Sequence, residues 1–198
     1  MVHARLPLIG IVAVLAVAWA GARFAWSDGH GEKKEEHSGP KRVLIIRHAE
    51  KPDGKGDPNL SKRGYERADA LAKVIPEHFA TPDVLLATKA TPNSNRPAET
   101  ITPLAEALHL PIVADFSDDQ FAELAHEVLT DPKYDGKTVL IAWHHGKIPA
   151  LASALGVTDA PAVWDPTVFD RVWEIKYEDG KTKFKSLPQH ALAGDEEQ

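Results

Sequence analysis

The chain has 198 residues, with 23 basic and 29 acidic side chains and a formal net charge of −6. It contains no cysteine, which excludes disulfides, thiolate nucleophiles, Cys-ligated zinc and iron–sulfur clusters. A mildly acidic chain without a basic block is poorly suited to nucleic acid, and 43% hydrophobic with 26% charged residues describes a globular domain.

Three segments follow one another. Arg5 precedes an uncharged, largely apolar run from Leu6 to Ala22. A positive start, a short apolar stretch and small residues at its end read as a secretory signal peptide, cut after Ala20 or Ala22. The other reading is an uncleaved membrane anchor, although a span needs about 20 apolar residues. Either way the sequence predicts a domain outside the cytoplasm, secreted or periplasmic or held at the membrane through residues 6–22. Residues 23–40 are polar, rich in Gly and charge, and read as a linker. His30 and His37 lie there without the fixed scaffold that metal coordination needs. The domain is expected over 41–190, followed by an acidic, loose tail over 191–198.

Within the domain the pattern alternates. Arg42–Ile46 is a short apolar run of the buried-strand kind. A loop rich in Gly, Pro and Asp follows, and a helix opens near Ser61 with Tyr65, Ala68, Leu71 and Ile75 on one face. Val84–Ala87 is a second strand. A helix over Pro97–Leu108 carries Pro103, which predicts a kink or a split. Ile112–Ala114 is a brief strand, and Asp118 or Asp119 is expected to cap a helix through Leu129. Thr138–Trp143 is a strand, with a helix over Ile148–Leu155 behind it. Arg171–Tyr177 and Thr182–Leu187 flank Asp179-Gly180 and predict a hairpin. The expected fold class is α/β, a three-layer α/β/α sandwich on a mostly parallel sheet with an antiparallel edge hairpin.

In open α/β sheets the site lies outside the carboxyl ends of the strands. The first strand ends in Arg47-His48-Ala49-Glu50, the second leads to Ser94-Asn95-Arg96, and the fourth ends in His144-His145-Gly146. Two guanidiniums and two imidazoles meeting there describe a dianion pocket. A neutral imidazole can attack phosphorus, and the other groups can hold the charge that develops on the phosphoryl oxygens. No metal and no cofactor are required.

These residues carry a resemblance. Arg47-His48-Ala49-Glu50 resembles the R-H-x-E start of the histidine phosphatase superfamily, which includes phosphoglycerate mutases. Leu60-Ser61-x-x-Gly64-x-x-Arg67-Ala68, Arg96-Pro97-Ala98-Glu99-Thr100 and Val139–Gly146 resemble its later segments, in the same order. The resemblance implies that His48 is the nucleophile, that Arg47 and Arg96 bind the phosphoryl group, and that His145, followed by Gly146, completes the pocket. By strand alternation His144 is expected to point elsewhere. The general acid stays open among Asp115, Asp118, Asp119 and Glu123. The implied activity is metal-independent hydrolysis of a phosphate ester or phosphohistidine through a phosphohistidine on His48. The implied partner is a small phosphorylated substrate or a phosphoprotein. The alternatives are a phosphoglycerate mutase-type transfer and a non-catalytic phosphate-binding domain.

Overall fold

Period-2 alternation and strand-end chemistry together dictate the architecture. In the computed structural model, which describes Met1 and residues 38–195 other than Lys55, six strands form one sheet. They are β1 (Arg42–Arg47), β2 (Val84–Ala87), β3 (Ile112–Val113), β4 (Thr138–Trp143), β5 (Arg171–Glu178) and β6 (Lys181–Pro188), in the order β3-β2-β4-β1-β5-β6. The first four positions pair in parallel, and β5 and β6 close the other edge antiparallel. This is the α/β arrangement with an antiparallel edge that the alternation predicts. The hairpin turns at Asp179 and Gly180, both at positive φ (53° and 69°), a geometry that suits the right-handed twist of the strands.

The central strands β1 and β4 feed both layers of core. Val43, Ile45, Val139 and Ile141 face one side, where α3 (Phe121–Thr130) and α4 (Ile148–Ala154) bury Leu124, Val128, Ile148 and Leu151. Leu44, Ile46, Leu140 and Ala142 face the other, against Leu71 of α1 (Lys62–Val74) and Ile101 and Leu104 of α2 (Arg96–Leu108). With both faces covered, β4 is buried along its whole length.

Several local expectations are corrected. Pro103 does not split α2, which runs unbroken to Leu108. Packing of Ile101, Leu104 and Ala105 outweighs the one lost backbone bond. Tyr65 is 45% exposed, and the buried face of α1 is Gly64, Arg67, Ala68 and Leu71. Neither Asp118 nor Asp119 is the cap. A short 3-10 turn at Asp118–Gln120 precedes α3, and Ser117 with Gln120 forms its capping box. The tail is anchored as far as Asp195, whose carboxylate takes the N–H groups of Ala191 and Leu192 and pairs with Arg67. At the other end Gly39 bonds Asp135 and Gly136, and Pro40 is buried, so both pack with the domain. The apolar run Leu6–Ala22 and the linker as far as His37 lie outside the described residues. Among the described residues no helix is long and apolar enough to cross a membrane.

Candidate active site

Sheet order brings the motifs together. β1 and β4 are direct neighbours, with Arg47 opposite Trp143, and the N–H of His48 bonds the carbonyl of Trp143 at 3.0 Å. The residues that follow, His48 on one chain segment and His144-His145 on the other, therefore emerge side by side. Arg96 arrives as the first residue of α2.

His48 is buried at 3% exposure. Its Nδ1 stands 2.7 Å from the carbonyl oxygen of Ala49, which only accepts, so Nδ1 carries the proton and Nε2 keeps its lone pair. Burial, the largest cause, together with the charges of Arg47 and Arg96, pulls the imidazole down to about 3, against the opposing bond to Ala49. At neutral pH His48 is an uncharged base with one free nitrogen.

Arg47 is 2% exposed. Its Nη1 donates to the carbonyls of Pro166 (2.7 Å) and Val168 (3.0 Å), and its guanidinium lies 3.7 Å from the centroid of the Phe169 ring. Neither carbonyls nor a ring cancel its charge, and burial lowers it to about 10, so it stays cationic. Arg96 donates from Nη1 to the carbonyl of Asp57 and is also lowered, first by burial. The Nε atoms of both arginines and Nδ1 of His145 are buried with no hydrogen-bond partner among the described residues. These three nitrogens come from the end of β1, the start of α2 and the turn after β4.

The two adjacent histidines have different settings. His144 does not point elsewhere. Its ring centroid is 5.4 Å from that of His48, edge to face, and it bonds Ser94 through Nε2 (3.1 Å) and Asp118 through Nδ1 (3.0 Å). The turn that opens after Trp143 ends strand alternation, so the period-2 argument fails there. His145 lies on the Arg47 side, where burial and then the Arg47 charge lower it. It shares a cavity of about 250 Å³ with Pro149, Val163, Trp164 and Pro166.

The remaining motif residues hold the site loop. The N–H of Ala49 donates to Thr100 Oγ1, which donates in turn to the carbonyl of Arg96, tying the segment after His48 to the start of α2. Glu99 takes the N–H of Leu60. Ser61 caps α1 through the N–H of Gly64. A Cβ on Gly64 would sit 2.3 Å from the carbonyl oxygen of Glu50, so only glycine permits this approach. Glu50 is turned away into a second cluster, where Arg67 meets it together with Asp195 and Gln189.

Of the four carboxylates considered as acid, Asp118 alone contacts a site histidine in the described hydrogen bonds. Asp119 pairs with Lys147 in solvent, and Asp115 and Glu123 are exposed. Ser94 and Phe169 were not expected as site neighbours. Ser94 stands two residues before Arg96, which is a signal, whereas nothing in the sequence ties Phe169 to Arg47. Among the described residues no cluster of His, Asp or Glu fit to hold a metal occurs.

No protein-family model matches the chain, and no curated protein matches it. Solved structures do. A protein named as the phosphohistidine phosphatase SixA, from Agrobacterium tumefaciens, is 17% identical over 75% of this chain and 98% of that one, with a TM-score of 0.52. A protein named as an alpha-ribazole-5'-P phosphatase, from Escherichia coli, is 14% identical over 78% and 98%, with a TM-score of 0.55. The mycobacterial glucosyl-3-phosphoglycerate phosphatase is 16% identical over 77% and 100%, with a TM-score of 0.52. At these identities the likeness establishes the fold. The chain has the phosphoglycerate mutase-like fold on which these named phosphatases are built.

Proposed function

We propose that the chain is a metal-independent phosphatase of the histidine phosphatase type, acting through a covalent phosphohistidine on His48. The observation that carries this reading is the state of His48: buried, uncharged, its Nδ1 committed to Ala49, which leaves the Nε2 lone pair available, and its imidazole under the charges of two arginines. Nε2 attacks phosphorus and the ester oxygen leaves. Water then attacks the phosphohistidine and restores the imidazole. Arg47 and Arg96 hold the phosphoryl oxygens through their free Nε–H groups, in a pocket where burial strengthens each such bond. His145 completes the anion pocket from the Arg47 side.

The named activities of the structural neighbours point to small phosphorylated substrates, and a phosphohistidine or a phosphate monoester suits this pocket equally. The apolar run Leu6–Ala22 behind Arg5 supports action outside the cytoplasm. N-terminal sequencing of secreted and membrane fractions separates cleavage from anchoring.

The test is hydrolysis of p-nitrophenyl phosphate in the presence of chelator, with ³²P trapping of the intermediate. The expected label is acid-labile and base-stable, and it disappears in His48→Ala. Full turnover in His48→Ala removes the proposed nucleophile. Phosphate binding without label or turnover in the wild type favours a non-catalytic pocket.

A further inference from the structure

The phosphatase reading needs a proton for the leaving oxygen, since an alkoxide is a poor leaving group. The contacts of Ser94, His144 and Asp118 supply a path for it. Asp118 Oδ1 is 3.0 Å from His144 Nδ1, and His144 Nε2 is 3.1 Å from Ser94 Oγ. This is the serine–histidine–aspartate order of hydrogen bonds that moves protons in acyl-transfer enzymes. Here the imidazole in the middle stands edge-on to the proposed nucleophile, its ring centroid 5.4 Å from that of His48. Ser94 is buried and lies two residues before Arg96.

We propose that Ser94, His144 and Asp118 form a proton relay that protonates the leaving oxygen and later accepts the proton of the attacking water, a role that rests on the phosphatase reading. In the first half, the Nε2 lone pair of His48 forms the P–N bond and the P–O ester bond breaks, leaving its electron pair on oxygen. Ser94 Oγ–H gives its proton to that oxygen and takes one from His144 Nε2, so the imidazolium becomes neutral. In the second half, water oxygen attacks phosphorus and the P–N electron pair returns to His48. The proton released by water passes through Ser94 to His144 Nε2, which restores the imidazolium.

The surroundings explain why the carboxylate is needed. His48 from the end of β1 and the adjacent His145 are titratable groups that act on His144. Asp118 is the anion in direct contact. Asp118 accepts from Nδ1–H, fixes the ring and offsets its charge when Nε2 is also protonated. Asp118 thus acts through His144 as a positioning residue, and Ser94 is the group that meets the substrate.

The relay is tested by comparing two esters, p-nitrophenyl phosphate, whose leaving group needs little protonation, and glycerol 2-phosphate, whose alkoxide needs it. Ser94→Ala and Asp118→Asn are expected to lower kcat/KM for glycerol 2-phosphate at least about 100-fold more than for p-nitrophenyl phosphate. Circular dichroism confirms folding of both variants. An equal loss on both esters, or no loss, overturns the relay, as does a ³²P label on Ser94 in place of His48. A wild-type protein that hydrolyses neither ester and forms no phosphohistidine overturns the phosphatase reading and the relay with it. A labelled His48 with unchanged ester selectivity in Ser94→Ala overturns the relay alone.

Discussion

Arg47 and Arg67 are both buried at 2% exposure, yet they sit in opposite environments. Arg67 is saturated: its guanidinium forms paired hydrogen bonds to Glu50 and to Asp195 and donates to Gln189. Burial alone would lower it, but the bonds from Asp195 and Glu50 outweigh that and hold it above its ordinary value. Arg47 has two carbonyls and the face of Phe169, and no carboxylate within its hydrogen bonds, so burial wins and lowers it. A buried charge with its counter-charges in place fixes structure. A buried charge without them is a standing attraction for an anion. The difference sorts two similar-looking arginines into a staple and a binding group.

The largest expected effect lies on the staple. Arg67→Ala leaves the side chains of Glu50 and Asp195 without their guanidinium, and the loss of one partner of such a pair costs about 3–5 kcal/mol. Urea unfolding should show this as a lower midpoint, while kcat/KM of the folded fraction changes far less. If activity and stability fall together in proportion, the separation of the two clusters breaks. Arg47→Ala should do the reverse. Removing one anion-binding donor is expected to lower kcat about 10²–10³-fold, with little loss of stability, because a desolvated charge goes with it. Inorganic phosphate is expected to raise Tm of the wild type and to leave that of this variant unchanged.

Gly64→Ala tests the hinge between the clusters, since its Cβ would press on the carbonyl of Glu50. Overpacking of this kind costs about 1–3 kcal/mol, read by thermal unfolding. A further effect is in pH. His48 is held down to about 3, so the folded protein resists a proton that the unfolded chain accepts near its ordinary 6.5. Stability from this source is complete above about 6.5 and declines as pH falls toward 3, by at most about 1.4 kcal/mol per pH unit. Asp195 is held below its ordinary value, where burial opposes the shift and the Arg67 bonds prevail. Its contribution is present above the ordinary carboxylate range and is lost only as pH falls through the lowered value. His48→Asn should flatten the decline between pH 6.5 and 4 and leave the steeper loss below 4 to Arg67 and Asp195. Denaturant midpoints across pH 3–8 separate the two windows.

The motifs themselves divide along the same line. Arg47, His48 and Arg96 carry the proposed chemistry, while Ser61, Gly64, Arg67, Glu99 and Thr100 tie the loop around them. The pattern of residue types was legible in the chain, but the division of labour within it was not. Glu50, two residues after His48 in sequence, belongs to the structural cluster. His144, expected to face away, meets His48 because strand alternation stops at Trp143.

What the chain determined by itself is local. The period of its apolar residues set the strands, the helices and both faces of the sheet. The placement of Arg and His at strand ends set where an anion pocket forms, because strand ends in a parallel sheet converge on one edge. What only tertiary structure decided is partnership. Arg47 finds its carbonyl 119 residues away at Pro166, and Arg67 finds its carboxylate 128 residues away at Asp195. Which aspartate reaches a histidine and which arginine lacks a carboxylate partner depend on such distant contacts. The energy of a buried charge is set by its nearest neighbours in space, and no local pattern encodes those.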